Sequence, residues 1–425
     1  MTVLIRPGHP VPTPSDWHPH TLLLAPHRLA FFLAMTVLAS SGLWWACVQL
    51  DRAGAGLGLV YTVSPSLVHA AIMTFGFTPL FFCGFLFTAG PKWLGVTAPS
   101  ARDLLAPLLA MAAGWWLWPL AAHFHPLLAV AALALALGGL AAVTLRFWRL
   151  VRASRAEDRL HAKAIGCALA VGCASLAGSG LALAWNATDV ARACVLTALW
   201  GFIVVVFVVV AHRMIPFFTS SVLPMVRAWR PFWVLWLMLA VAGFEAVAAW
   251  AEWAGASGTA WMALRGLLEL GAGAVLLWLV LAWGLVQSLK VRLLAMLHLG
   301  FAWLGLGLAL GGLSELIGAG DGTPALPLAG MHAVTMGCLG SLMVAMVTRV
   351  SCGHSGRPLV ADNPVWALFW LLQAATVLRV AAAVPAWPGQ PLLLAASLLW
   401  AGVMLVWGFR YGSWYGRARA DGQPG

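Results

Sequence analysis

Apolar residues fill the chain in runs of about twenty, broken by short polar or proline-bearing stretches, and the runs recur from end to end. A helix of about twenty apolar residues crosses a hydrocarbon core of roughly 30 Å. The pattern therefore predicts twelve spanning helices, at 29–49, 67–90, 103–122, 126–147, 162–184, 193–212, 231–252, 261–286, 291–318, 326–348, 364–384 and 391–410. No polar block between them is long enough to fold alone. The expectation is an all-α, polytopic membrane bundle forming a single integral-membrane domain over 1–425.

Composition agrees with the pattern: 62% of residues are hydrophobic, 9% are charged, and the mean hydropathy is +0.91. The 25 tryptophans, against 3 tyrosines, suit anchors at the two membrane interfaces. The first apolar run has no small-residue cleavage site and is too long for the core of a leader, so no cleaved signal is expected.

The net charge of +11 points to membrane orientation, not to nucleic acid. With both termini cytoplasmic, all of the 24 Lys and Arg except Arg52, Arg192, Arg265 and Arg379 fall on the cytoplasmic side. That bias supports an even number of spans, with a cytoplasmic N-terminal tail (1–28), a basic cytoplasmic hairpin (146–163) and a cytoplasmic C-terminal tail (411–425). The seven cysteines lie singly, with no C-x-x-C and no C-x-x-C-H, which argues against disulfides, iron–sulfur sites and covalent haem.

Histidines in apolar runs carry the chemistry. His69 (SLVHAAIMTFGF) and His332 (GMHAVTMG) open the second and tenth predicted spans on the outer side. His27, His212, His298 and His354 belong to the cytoplasmic half. An imidazole in hydrocarbon is costly unless it pairs, lines a wet cavity or binds a metal, and neutral imidazole is a common ligand of haem iron and copper. A hydrogen bond between helices is the plain alternative for any one of them. Met73 and Met336 follow His69 and His332 by one turn, as a soft copper site or a packing residue would. His123 and His125 form an H-x-H pair in an outer turn, His9, His18 and His20 lie in a proline-rich tail, and His161 sits in the basic hairpin with no special role expected.

Glu245, Glu269 and Glu315 fall in the outer halves of the seventh, eighth and ninth spans, where buried carboxyls can carry protons. Arg265, four residues before Glu269, offers an ion pair as the simpler reading. In HRMIPFFTSSVLP (212–224), Pro216 is expected to end the sixth helix and start a re-entrant turn that brings His212 and Arg213 to the inner histidines.

Four stretches, LHLGFAWLGLGLAL (297–310), HRMIPFFTSS (212–221), FLFTAGPKWLG (85–95) and HAVTMGCLGSLMVAMVTRVSCGHSGRPL (332–359), together resemble the NnrS family of membrane proteins in the bacterial response to nitric oxide. The resemblance spans most of the chain and implies haem in a multi-helix bundle of the bacterial cytoplasmic membrane. His69, His298, His332, Arg213, Arg349, His354 and Arg357 match the family pattern. His27 and His212 match part of it. Where many members carry a second histidine and a glutamate after the first, this chain has Ala71 and Ile72, so haem b, one or two groups, is the expected cofactor and copper the lesser one.

The resemblance implies nitric oxide as ligand or substrate, with a quinol or another membrane electron donor for its reduction. On this expectation His69 and His332 form an outer pair, and His298 acts with His212, His354 or His27 at an inner site. Arg213, Arg349 and Arg357 would pair haem propionates. A haem–copper oxidase is excluded because its adjacent histidine pair is missing. A proton-coupled secondary transporter using the outer carboxyls, and a nitric oxide or copper protein that binds without turnover, are the alternatives.

Overall fold

The computed structural model describes residues 16–423, so Arg6 and His9 lie outside it. Among the described residues, twelve helices are long and apolar enough to cross a membrane: α1 Pro26–Ala55, α2 Pro65–Leu94, α3 Ala101–Phe124, α4 Pro126–Ala153, α5 Leu160–Ala184, α6 Thr188–Val222, α7 Phe232–Trp253, α8 Thr259–Ala282, α9 Arg292–Gly318, α10 Ala329–His354, α11 Asn363–Ala381 and α12 Gly389–Tyr415. There is no strand among the described residues.

Local chemistry sets the helix starts. Proline occupies the first turn of α1, α2, α4 and α11, where its missing N–H would have had no partner anyway. Ser100 and Asp103 form a reciprocal capping box at α3. His125 Nδ1 accepts from Leu127 N at 3.1 Å to cap α4, and Asp362 caps α11 through Val365 N at 3.3 Å.

One expectation is corrected. Pro216 does not stop α6, which continues to Val222, and no re-entrant turn forms. Proline is tolerated inside a packed membrane helix, and Thr219 Oγ1 donates to the Ile215 carbonyl at 2.9 Å one turn on. In the basic stretch 146–163, α4 carries Arg146, Arg149 and Arg152 on its last turns, residues 154–159 form the turn, and α5 starts at Leu160. Helix α12 continues to Tyr415, past the apolar run that ends at 410. Two helices are wound as π-helix in mid-course, α6 at Leu199–Val204 and α10 at Ala333–Gly340. Such segments insert residues into an α-helix and often sit near functional sites.

Most consecutive helices pack antiparallel, most closely α3 with α4 and α8 with α9, and α1 lies along α12 to close the bundle. Without a hydrophobic drive between helices in lipid, small residues let backbones approach. Between α8 and α9, a Cβ on Gly312 would lie 2.5 Å from the Gly266 carbonyl. The tryptophans divide into two populations. Trp116, Trp185, Trp236 and Trp278 are exposed as anchors would be, whereas Trp115, Trp118, Trp283 and Trp407 are core residues at most 2% exposed. Three of the core indoles find acceptors: Val68 O for Trp118 (3.1 Å), Trp229 O for Trp283 (3.0 Å) and Thr348 Oγ1 for Trp407 (3.2 Å).

The two ends of the described chain meet. His18 N donates to Gly416 O at 2.8 Å, and Arg28 Nη1 donates to the carbonyls of Tyr415 (3.0 Å) and Arg417 (2.8 Å). The Trp17 indole fills the space where a side chain at position 416 would stand. Both ends therefore lie on one side, the terminal face, and the opposite side is the distal face.

Candidate functional site

Helix direction sorts the histidines into two levels. At the distal face, His69 lies near the start of α2 and His332 near the start of α10. The His69 ring stacks on Trp45 of α1, with centroids 3.9 Å apart and planes 17° from parallel, and the Arg52 guanidinium stands 5.5 Å from the same indole. His69 Nδ1 is buried without a partner. His332 Nδ1 lies 2.9 Å from the Leu328 carbonyl. A carbonyl only accepts, so Nδ1 carries the proton and Nε2 keeps a lone pair. His332 and Arg379 act electrostatically on His69, and Arg379 also acts on His332. The distal level thus gathers two imidazoles with nitrogen lone pairs to offer, an aromatic wall and two cations.

At the terminal face the expected single inner site resolves into three arrangements. His27 of α1 meets His354 at the end of α10, with centroids 4.4 Å apart and planes inclined by 43°. His27 Nδ1 is buried without a partner, and Arg28, Lys92 and Arg419 supply positive field around the two rings. Glycine at position 84 of α2 makes room there, because a Cβ would run into the Phe31 ring packed beside His27.

The second arrangement joins His212 to His161, not to the other inner histidines. His212 Nε2 is 3.1 Å from the Pro231 carbonyl, which forces the proton onto Nε2 and leaves Nδ1 as an acceptor. His161 Nε2 then donates to His212 Nδ1 at 3.0 Å. Both nitrogens of His212 are engaged, so it has no lone pair for a metal as it stands. His161, expected to need no role, is 3% exposed and ends the chain with an unpartnered Nδ1.

The third arrangement is His298 with Thr219, at 2.9 Å. The threonine hydroxyl gives its proton to Ile215 O, so its oxygen accepts from His298 Nε2. That leaves the His298 lone pair on Nδ1.

The three arginines expected to pair propionates stack on rings: Arg213 over Trp93 (4.9 Å), Arg349 over Phe218 (3.9 Å) and Arg357 over Trp414 (4.2 Å). None makes an ion pair among the described residues. Arg357 Nη1 is buried without an acceptor, and burial, with Arg417 and Arg410 nearby, pushes its guanidinium below the usual range. An added anionic group would satisfy it.

The carboxyls of Glu245, Glu269 and Glu315 do converge, on Arg265, and Glu252 joins them. His123 and His125 do not form a metal pair. His123 uses both nitrogens, with Val60 O at 2.7 Å and the Trp44 indole N–H at 3.1 Å, while His125 serves as a helix cap. Among the described residues no group of three or more His, Cys, Asp or Glu side chains is arranged to hold a metal ion. His69 with His332, and His27 with His354, could each present two imidazoles to a haem, which brings four donors of its own.

Sequence comparison with curated proteins gives no match. The family model described as NnrS protein matches residues 21–419, which takes in both histidine levels, the arginines and nearly all of the chain. This multi-pass membrane protein therefore belongs to the NnrS family.

Proposed function

We propose that the protein is a haem-binding membrane protein of nitric oxide metabolism or detoxification, which reduces nitric oxide at a histidine-ligated haem. The observation that carries this reading is the distal pair: His69 with a buried, unpartnered Nδ1 and His332 with Nε2 left free by its bond to Leu328. Membership in a family of membrane proteins of the bacterial nitric oxide response supports the same reading. In the cytoplasmic membrane, with the terminal face inside as the arginine bias favours, the distal pair would lie at the outer side.

His69 and His332 would hold the haem, Trp45 would lie against its ligand, and Arg52 and Arg379 would meet its propionates. A bound haem supplies a metal that binds nitric oxide and passes electrons to it. The chain supplies the rest. Apolar walls admit a neutral, lipid-soluble gas from the bilayer without a polar channel, and the Leu328 carbonyl keeps the His332 tautomer fixed. At the terminal face His27 and His354 form a second two-histidine site for haem or copper, beside Arg28 and Lys92. The two rings, 4.4 Å apart between centroids, would separate to admit a group between them. A quinol or another membrane donor would deliver the electrons.

A visible spectrum and a haem and metal count on detergent-purified protein test this. Haem absorption that shifts on adding nitric oxide, and that falls to background in His69→Ala and His332→Ala, is the expected result. A colourless preparation from haem-replete cells overturns it. Consumption of nitric oxide with a reductant then separates turnover from binding alone.

A further inference from the structure

Four carboxyls from three helices surround one guanidinium near the distal face. Arg265 of α8 donates from Nε to Glu269 Oε1 at 2.6 Å, from Nη2 to Glu245 Oε2 of α7 at 2.9 Å, and from Nη1 to Glu252 of α7. Glu315 Oε1 of α9 stands 3.9 Å from Nη1. Glu245 and Glu269 are 2% and 5% exposed, whereas Glu252 is 42% exposed and opens the cluster to the distal surface. These residues, Glu252 from α7, Arg265 from α8 and Glu315 from α9, are charged groups acting on the buried pair.

If all four carboxyls were ionised, the cluster would hold three negative charges beyond what the arginine balances. A low-dielectric interior does not keep such an excess. An independent observation shows where the relief falls. Glu245 Oε1 is buried and has no donor. Its neighbour is the carboxyl of Glu269, within hydrogen-bonding reach. Two carboxylates repel and cannot bond, but one proton between them turns the contact into an acid–carboxylate hydrogen bond and satisfies the orphaned oxygen. Glu269 holds this position because α9 has glycine at 311, where any Cβ would collide with its Oε2.

A metal cation is a poorer occupant. The guanidinium already fills the centre of the carboxyls, and they are not arranged to hold a metal ion.

We infer that Glu245 and Glu269 share one proton in the folded protein and exchange it with the distal aqueous face through Glu252. The pair is a proton-holding site near the distal face, built from none of the histidines. Loading adds one proton to a pair of carboxylates, and release returns it to water, with no change of oxidation state. The inference does not depend on the proposed haem chemistry, and its readout is a carboxyl vibration, not turnover.

Infrared spectroscopy of the full chain in nanodiscs, with and without carbon-13-labelled glutamate, tests it. At neutral pH the expected spectrum contains the C=O stretch of a protonated carboxylic acid, moved by the glutamate label and by deuterium exchange. Glu245→Gln and Glu269→Gln each abolish the band, because the amide satisfies the remaining carboxylate. Glu252→Gln keeps the band and slows its exchange severalfold. Absence of a label-sensitive acid band at neutral pH overturns the inference, as does a band that survives in both single glutamine variants. A band that emerges only when sodium is removed also overturns it, in favour of a cation site. The labelled wild-type protein decides the presence of the proton even if a variant does not fold.

Discussion

The imidazoles of His27 and His354 lie 4.4 Å apart between ring centroids, one at the start of α1 and the other at the last residue of α10. A ligand shared by two side chains is lost when either is removed. His27→Ala and His354→Ala should therefore each lower the metal or haem content of the purified protein by the same amount, and the double variant should lower it no further. Additive losses, measured by elemental analysis and haem extraction, would mean that the two histidines serve different sites.

The His161–His212 bond makes a second expectation. In His161→Ala, the buried Nδ1 of His212 loses its donor, at a cost of about 1–3 kcal/mol. The melting temperature of the detergent-solubilised chain should fall, and His161→Gln, whose amide N–H can reach the same acceptor, should recover most of the loss. Equal melting of wild type and His161→Ala would show that the bond does not contribute.

Close packing of α8 on α9 is tested by contrast between two glycines. Gly312→Ala puts a Cβ 2.5 Å from the Gly266 carbonyl and 2.8 Å from Leu270 N, so the helices must part, at about 1–3 kcal/mol. Gly271→Ala meets nothing within 4 Å and gains helix propensity. Thermal unfolding should separate them, with Gly312→Ala lower than wild type and Gly271→Ala equal or higher.

The C-terminal tail carries a pH dependence outside the membrane. Arg419 donates to both oxygens of Asp421, from Nε at 2.9 Å and from Nη2 at 2.6 Å, and holds its carboxyl down at about 2. The tail docks on the loop after α10 through Ala420 N to Ser355 O, at 2.9 Å. A carboxyl lowered by folding stabilises above its unfolded value and loses that contribution as pH falls toward the folded value. Amide exchange of Ala420 should thus stay slow until the pH drops below the ordinary aspartate range, and Arg419→Gln should move the change to higher pH. A tail whose exchange ignores pH down to about 2 would contradict this.

All twelve spans were legible, because about twenty apolar residues in a row have one economical fate in a bilayer. Their ends were less so. α6 runs past Pro216 and α4 past Phe147, since a helix continues wherever neighbours or water satisfy its backbone, whatever its hydropathy. Candidate residues were legible as costly groups in apolar runs, but their partners were not. His161 reads as one more polar residue in a basic stretch, and only the packing of α5 beside α6 brings it to His212. Trp45, Glu252 and Arg379 were missed for the same reason, as their roles come from contacts across helices far apart in sequence. The convergence of Glu245, Glu269 and Glu315 was foreshadowed by their shared depth.

The clasp of Arg28 on the carbonyls of Tyr415 and Arg417 bears on how the molecule is made. His27 leaves the ribosome more than 300 residues before His354, and the lock that seats α1 against α12 forms only after α12 has been made. Assembly at this end therefore waits for α12, and a nascent chain that stops short of residue 354 would leave the His27 ring without the ring it packs against.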